Sequence, residues 1–176
     1  MSELTVVAMG GNSLINPQKA PTVENQFMVT ARAMEPVADL VERGEQLVLT
    51  HGNGPQVGFM ALRSELAKDQ LHEVPLDSLV ADTQGSIGYM IQRALREELR
   101  RRGLDVQVAS LVTEVEVDPE DQAFQEPTKP IGRFYTAEEA VQLEKERNWM
   151  MVDDSNRGWR RVVPSPAPVR IVQMNI

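Results

Sequence analysis

The chain contains no cysteine and only 2 histidines among its 176 residues, and aromatic residues make up 5% of it. Without cysteine there can be no disulfide, no thiolate metal site and no cysteine nucleophile. No apolar run approaches membrane-spanning length and no basic leader precedes the first strand-like run, so we expect a cytoplasmic location. The net charge of -8 argues against unassisted binding to nucleic acid or to an anionic membrane, because both require a basic surface.

Several nucleotide-binding and hydrolase motifs are absent as well. The sequence has no G-x-x-x-x-G-K-[ST] loop, no G-x-G-x-x-G after its first predicted strand and no G-x-S-x-G turn. Neither a P-loop enzyme nor a conventional dinucleotide-binding domain therefore fits. Hydrophobic residues at 41% and charged residues at 25% are ordinary for a globular chain that buries a core.

Two glycine-rich turns, Gly-Gly-Asn at 10–12 and Gly-Asn-Gly at 52–54, each follow a short apolar run. The runs at 4–8 and 46–50 are too short for helices and rich in Val and Leu, which is typical of parallel-sheet strands. Ligands of open α/β sheets bind beyond the carboxyl ends of the strands. Glycine lets backbone N–H groups point at a carboxylate or phosphate, and each asparagine adds an amide donor. Either motif alone is equally typical of a tight turn; together they predict an anion-binding site.

Apolar residues spaced three and four apart recur in three segments along the chain, which predicts three helices. The first has Thr22 as a potential N-cap and Gly44 as a terminator, and Pro36 within it predicts a kink or an interruption. An alternating, β-branched run farther on predicts a long strand. The predicted helices cover 22–43, 56–68 and 79–102, and the long strand covers 106–117.

The end of the third predicted helix, 93–102, holds five arginines. Two interpretations are open, namely a basic patch for phosphate or RNA and a solvated helix end. Glu97 and Glu98 lie among the arginines, and cations suit the negative end of a helix. These features favour the solvated helix end.

The composition changes at 118–160, where prolines and glycine are followed by an amphipathic pattern and two strand-like runs. We interpret this segment as a small lobe inserted into an α/β core that comprises 1–117 and 161–176. A proline-rich connector at 163–168 is expected to be extended. The helix predicted in the lobe covers 136–147, and the two strands, which can pair, cover 149–152 and 159–163.

Lys129 lies between two prolines of the lobe, in the sequence Pro-Thr-Lys-Pro at 127–130. Because proline limits the freedom of this loop, the ammonium group can reach an anion with little loss of entropy. Such a cation can stabilise a phosphoryl group during transfer. An ordinary surface lysine is the alternative interpretation.

His51 is a candidate general base or metal ligand, since imidazole titrates near neutral pH. The other histidine, His72, is distant in sequence and falls in a predicted loop. A histidine that shapes the second turn through a hydrogen bond is therefore favoured. The neighbouring acids at 118–121 and 153–154 are expected to be solvated rather than to bind a metal, and no metal site is predicted.

Five blocks of this sequence, in order, resemble those of carbamate kinases, which belong to the amino-acid-kinase superfamily. Acetylglutamate kinase and aspartokinase usually carry a lysine just before the first Gly-Gly, where this chain has Ala8 and Met9. Ahead of Arg157, relatives usually have a small residue and a glycine in place of the Asp-Ser-Asn at 154–156. The blocks are VVAMGGN at 6–12, HGNGPQVG at 51–58, TQGSIGY at 83–89, PTKPIG at 127–132 and RGWRRVVPSP at 157–166.

The resemblance implies a three-layer αβα fold with an open, mainly parallel sheet and a small inserted lobe. It implies Mg²⁺-dependent phosphoryl exchange between ATP and carbamate, giving ADP and carbamoyl phosphate, and used to form ATP in arginine catabolism. Lys129 matches a lysine that reaches the substrate from the lobe, and no nucleic acid or membrane partner is implied. The residues that match those holding carbamate or carbamoyl phosphate are Gly10, Gly11, Asn12, Gly52, Asn53 and Gly54.

Carbamate kinases are much longer than this chain, and the part missing here supplies their nucleotide-binding lobe, with a second catalytic lysine and an adjacent aspartate. We therefore expect impaired catalysis by this chain alone. A sheet edge or helix face should be left uncovered, which predicts association into a homodimer. The alternatives are a non-catalytic module that binds carbamoyl phosphate or mediates dimerisation, and an enzyme completed by a separate chain that holds the nucleotide.

Overall fold

A computed structural model of the chain describes residues 4–16, 18, 20 and 22–172. The described residues fall into two compact units, one within Met1–Asn53 and Val80–Val112, the other within Gly54–Leu79 and Thr113–Ile176. The helices are α1 (Val23–Glu42), α2 (Gly54–Ala67), α3 (Leu76–Arg101) and α4 (Ala137–Arg147). The strands are β1 (Leu4–Met9), β2 (Gln46–His51), β3 (Val115–Val117), β4 (Lys129–Tyr135), β5 (Met150–Asp153), β6 (Trp159–Val163) and β7 (Pro168–Ile171).

The first unit is built on the parallel pair β1 and β2, in register from Leu4 opposite Gln46 to Met9 opposite His51. This pairing confirms the two predicted strands. One face of the pair packs on a core formed with α1 and α3, while the other face is exposed. The strand residues on the covered face are Val7, Met9, Leu47 and Leu49.

Helix α1 begins and ends where its sequence predicts. The Thr22 hydroxyl accepts a hydrogen bond from the Asn25 N–H at 3.2 Å, and Gly44 adopts a φ of 85° just past the helix. The helix continues through Pro36, which excludes the predicted interruption, while the alternative of a kink stays a prediction. Met34 and Val37 on either side of the proline are buried in the core, and this packing outweighs the one backbone hydrogen bond that proline removes.

Three of the five arginines near the end of α3 are ion-paired with acids of α1 or α3. Arg102 bridges the two helices, with Nη1 at 2.6 Å from Asp39 Oδ1 and Nε at 2.7 Å from Glu98 Oε1. Arg101 also contacts Glu98, at 2.6 Å. These pairs favour the interpretation of this segment as a helix end rather than a basic patch.

The long strand predicted over 106–117 is wrong for most of its length. Only Val115–Val117 forms a strand, paired antiparallel with β7. A strand needs a neighbour for its backbone N–H and C=O groups, and 104–114 has none among the described strands. Alternation in sequence cannot show whether that neighbour exists.

The second unit contains α2, α4 and the antiparallel sheet β4-β6-β5. The predicted pairing of 149–152 with 159–163 is confirmed by β5 and β6, and the predicted helix is confirmed by α4. Strand β4 was not predicted, because Pro130 argues against a strand. It lies at the edge of the sheet, where Pro130 needs no ladder hydrogen bond on one side. The core residues are Tyr135, Ala140, Trp149 and Met151.

The α/β class with open sheets and four helices is confirmed. Among the described strands the parallel pairing is that of β1 with β2, and the other pairs are antiparallel. The division into a core and a lobe at 118–160 stays a prediction. Across the residues that the structure describes, none of the helices is both long and apolar enough to cross a membrane.

Candidate anion site

The two glycine turns lie against each other at the carboxyl ends of β1 and β2. The parallel ladder continues one step past the strands, since the Gly52 N–H donates to the Met9 carbonyl at 2.8 Å. A Cβ placed on Gly11 would lie 3.0 Å from both the Gly52 carbonyl oxygen and the Asn53 nitrogen. The backbones of the turns are therefore too close for a side chain at Gly11.

Gly10 is different, because the protein does not require a glycine there. A Cβ on Gly10 would meet nothing within 4 Å, its φ is not positive and the residue is exposed. The absence of a side chain at this position leaves open space beside the turns. Packing within the described structure therefore does not explain the glycine at this position.

Some polar groups of the turns bond to the turns themselves. The Ser13 N–H and hydroxyl both donate to the Gly10 carbonyl, at 2.9 and 2.6 Å, and close a short 3₁₀ turn over Gly11–Leu14. The Gly52 N–H is used in the ladder, so Gly52 contributes space and not a donor. Asn12 belongs to the 3₁₀ turn by its backbone.

Asn53 is held by a residue whose role the sequence did not predict. Its Nδ2 donates to the Thr83 hydroxyl at 2.7 Å, and that hydroxyl donates to the Val80 carbonyl at 2.7 Å. Thr83 is 1% exposed, so the pair is anchored in the interior. In the sequence, Thr83 stood out only as part of the block at 83–89, and that block did not predict its hydrogen bond with Asn53.

Gly54 and Lys129 both belong to the second unit. Gly54 is the first residue of α2, and a Cβ there would lie 3.7 Å from the Pro130 carbonyl oxygen and 3.9 Å from Arg160 Nη2. Lys129 is the first residue of β4 and lies opposite Val163. Its side chain is exposed and makes no ion pair within the described part of the chain.

His51 contacts its own turn, with Nδ1 at 3.4 Å from the Gly52 carbonyl oxygen. This contact agrees with the interpretation that the ring shapes the turn. His72 is exposed in the segment between α2 and α3. Over the residues that the structure describes, no group of three or more histidines and acids is arranged to hold a metal ion.

The acids considered as metal ligands bond to protein groups. Asp121 accepts from the Ala123 and Ala167 N–H groups at 2.8 and 3.0 Å, and these bonds lower its pKa. Asp154 is paired with Arg160 at 3.0 Å and with Arg157 at 2.9 Å. The hydrogen bond from Arg160 is the main cause that lowers the pKa of Asp154.

The fold is that of an α/β protein whose two glycine turns meet at the carboxyl ends of its parallel strands. The chain belongs to the amino acid kinase family, whose family model matches residues 3–142. Carbamate kinase from Pyrococcus horikoshii is 45% identical over 171 residues, covering 96% of this chain and 54% of that protein.

Solved carbamate kinases share the fold. The Giardia lamblia enzyme bound to citric acid matches with a TM-score of 0.92 and 37% identity, covering 97% of this chain and 55% of that one. The Giardia lamblia enzyme bound to AMP-PNP matches with a TM-score of 0.78 and 38% identity, covering 97% and 54%. The chain spans about half the length of the relatives that it matches.

Proposed function

We propose that this chain is the carbamate-binding part of a carbamate kinase, which exchanges a phosphoryl group between ATP and carbamate and forms ATP in arginine catabolism. The observation that carries the proposal is the contact between the two glycine turns, with open space at Gly10 and with Asn53 held by Thr83. The similarity to carbamate kinases over 96% of the chain supports it, as does the citric acid bound by the Giardia lamblia relative.

In this proposal the turns bind carbamate or carbamoyl phosphate. Towards ATP, an oxygen of ADP attacks phosphorus, the bond from phosphorus to the carbamate oxygen breaks, and carbamate leaves with the electron pair. Backbone N–H groups and the Asn53 amide stabilise the charge that develops on that oxygen. The residues proposed to line the site are Gly10, Gly11, Asn12, Gly52, Asn53 and Gly54.

Lys129 is proposed as the catalytic cation. Its ammonium group neutralises phosphoryl oxygens during transfer, a step that depends on charge and position rather than on covalent chemistry. Two features support this role, the start of β4 at Lys129 and the lack of a carboxylate partner within the described residues. An ion-paired lysine would have to break that pair first.

Mg²⁺ is proposed to arrive with ATP or ADP, and it would supply positive charge that neutralises the phosphate oxygens. Among the described residues, no group of three or more acids and histidines is arranged to hold a metal ion, so the proposal assigns none of them to Mg²⁺. The nucleotide is proposed to bind the portion of carbamate kinases that this chain does not cover, about half of their length.

Calorimetric titration with carbamoyl phosphate tests substrate binding. The wild-type chain should bind it, and Gly10→Ala should abolish measurable binding because the methyl group fills the open space, without loss of fold. Gly85→Ala, at an exposed helical glycine with nothing within 4 Å, is the matched control and should bind as the wild type does. Equal binding by the wild type and Gly10→Ala would contradict the site.

A coupled assay with carbamoyl phosphate and ADP tests catalysis. We expect little ATP from the chain alone and turnover after addition of the other half of a carbamate kinase. Substitution of Lys129 by methionine should then abolish that turnover while carbamoyl phosphate still binds. Turnover by the isolated chain would show that nucleotide binding does not require the other half.

A non-catalytic module that binds carbamoyl phosphate is the second candidate function. The observation that favours it is the match to only 54% of the length of the Pyrococcus horikoshii enzyme. This candidate predicts carbamoyl phosphate binding in the calorimeter, but no ATP in the coupled assay even with the second half present. The two experiments together therefore separate the candidates.

A further inference from the structure

A buried arginine from another element lies near the N-terminus of α2, a place where an acidic side chain is expected. The helix begins at Gly54 and has no acidic residue in its first turn. Arg160 of β6 approaches it, with Nη2 at 3.9 Å from the position of a Cβ on Gly54. The positive end of a helix favours anions and disfavours cations, so this juxtaposition is unfavourable by itself.

The guanidinium group of Arg160 is buried and only partly paired. The residue is 6% exposed, and its Nη1 lies 3.0 Å from Asp154 Oδ2. Its Nε is buried and has no hydrogen-bond partner. A buried donor without a partner is costly, which points to a partner that binds there.

Asp154 does not cancel the charge of this cluster. It is shared between Arg160 and Arg157, so two guanidinium groups face one carboxylate and the three residues keep a net positive charge. Both guanidinium groups also lie over the Phe134 ring, at 5.2 Å from its centroid. Of the two arginines, Arg157 is exposed and Arg160 is the one directed at the helix end.

We propose that Arg160 is a further anion-contacting residue, which binds a phosphoryl or carboxylate oxygen together with the first backbone N–H groups of α2. An anion there satisfies the helix end and the unpaired guanidinium donor at the same time. This inference rests on the proposed function, for which it adds a phosphate contact to those proposed for Lys129 and Gly54. The pair Gly54 and Arg160 forms the contact within the second unit alone.

Nuclear magnetic resonance of the ¹⁵N-labelled chain tests the contact directly. Inorganic phosphate and carbamoyl phosphate are titrated in separate samples while the Gly54 N–H and the Arg160 Nε–H are followed. Both signals should shift together and give one dissociation constant. If other amides shift while these two stay still, the inference is wrong and the proposed function is unaffected.

Arg157→Met is the matched control for Arg160→Met, because both arginines share Asp154 and Phe134. Arg160→Met should weaken phosphate binding by about 10- to 100-fold, the effect of a lost charge-assisted hydrogen bond, and Arg157→Met by less than about 2-fold. Equal losses in both variants would assign a purely structural role to Arg160. Arg160→Lys, which keeps the charge but not the planar fork, should lie between the wild type and Arg160→Met.

Three outcomes separate this inference from the proposed function. Phosphate shifts at Arg160 with no response to carbamoyl phosphate at Gly10 or Asn53 would support the contact and contradict the function. If neither anion shifts the Gly54 and Arg160 signals, the inference is overturned. The near-ultraviolet signal of Trp149 reports whether Arg160→Met folds. If this variant does not fold, the NMR titration of the wild-type chain alone tests the inference.

Discussion

Gly11 and Gly52 lie back to back, so that a Cβ on either residue would come within 3.0 Å of backbone atoms of the other turn. This contact joins the turns that follow β1 and β2, and a side chain at either position would separate them. The parallel register brings the strand ends together, and the two glycines let the turns close the remaining distance. The geometry of the proposed anion site depends on this contact.

Gly11→Ala should lower the free energy of unfolding by about 1 to 3 kcal/mol, because the methyl group meets backbone atoms that cannot move independently. Gly10→Ala, one residue earlier, should change it by less than about 0.5 kcal/mol, since the space there is open. Chemical denaturation of the two variants checks the difference. Equal destabilisation would show that the turns are not in contact.

Thr83→Val should weaken carbamoyl phosphate binding several-fold, because the Asn53 amide loses the hydroxyl that holds it. Thr30→Val is the matched control, since Thr30 is also buried and its hydroxyl donates to the Gln26 carbonyl of its own helix. Each variant should lose about 1 kcal/mol of stability for a lost hydrogen bond. Calorimetry and denaturation of both variants separate the binding effect from the stability effect, and equal binding losses would contradict the role of Thr83.

Gly58→Ala should destabilise the second unit by about 3 kcal/mol or more, because a Cβ there would overlap the backbone nitrogen and Cα of Gly132. Glycine at 58 is what allows α2 and β4 to cross backbone to backbone. Gly85→Ala should instead stabilise the chain by about 0.5 to 1 kcal/mol, because alanine replaces an exposed helical glycine. Thermal unfolding followed through Trp149 and Trp159 measures both, and a stable Gly58→Ala variant would refute the close crossing.

Glu98 should make the stability of the first unit depend on pH. Hydrogen bonds from Arg101 and then Arg102 lower its pKa from 4.5 to about 2. A lowered pKa stabilises the fold above the ordinary pKa of 4.5, and this contribution is lost as the pH falls towards about 2. Glu98→Gln should therefore flatten the stability profile between these pH values.

Glu97→Gln is the control for the pH experiment, because the Arg93 to Glu97 pair is exposed and such pairs contribute little. Urea denaturation at a series of pH values compares both variants with the wild type. A profile for Glu98→Gln that parallels the wild type would show that the Arg102 network does not depend on this carboxylate.

Val6 and Val48 should promote association of the chain. They are register partners on the uncovered face of the parallel pair and are 62% and 46% exposed. Parallel sheets are normally covered on both faces, so this face should self-associate, and the homodimer is proposed to form through it. Substitution by Glu at Val6 and Lys at Val48 should favour the monomer in sedimentation velocity, whereas Lys at the exposed Leu66 should not. A wild-type monomer at all concentrations would contradict the proposal.

The periodicity of the sequence predicted β1, β2 and all four helices, because burial of one face leaves a regular apolar pattern. The same reasoning failed over 106–114, where alternation is present but no strand partner lies alongside in the described structure. It also missed β4, because Pro130 argues against a strand unless the strand is known to lie at a sheet edge. Whether a strand lies at a sheet edge, and which strand lies beside it, is decided only when the sheet assembles.

The sequence by itself determined the α/β class, the two glycine turns, the caps at Thr22 and Gly44 and the family, since each depends on local pattern or on residue identity. Only the tertiary structure decided that Gly11 lies against Gly52, that Thr83 holds Asn53 and that Arg160 faces the start of α2. These contacts join residues 30 to more than 100 positions apart, as with Asn53 and Thr83 at a separation of 30. Such contacts follow from strand register and helix packing, which no local sequence pattern specifies.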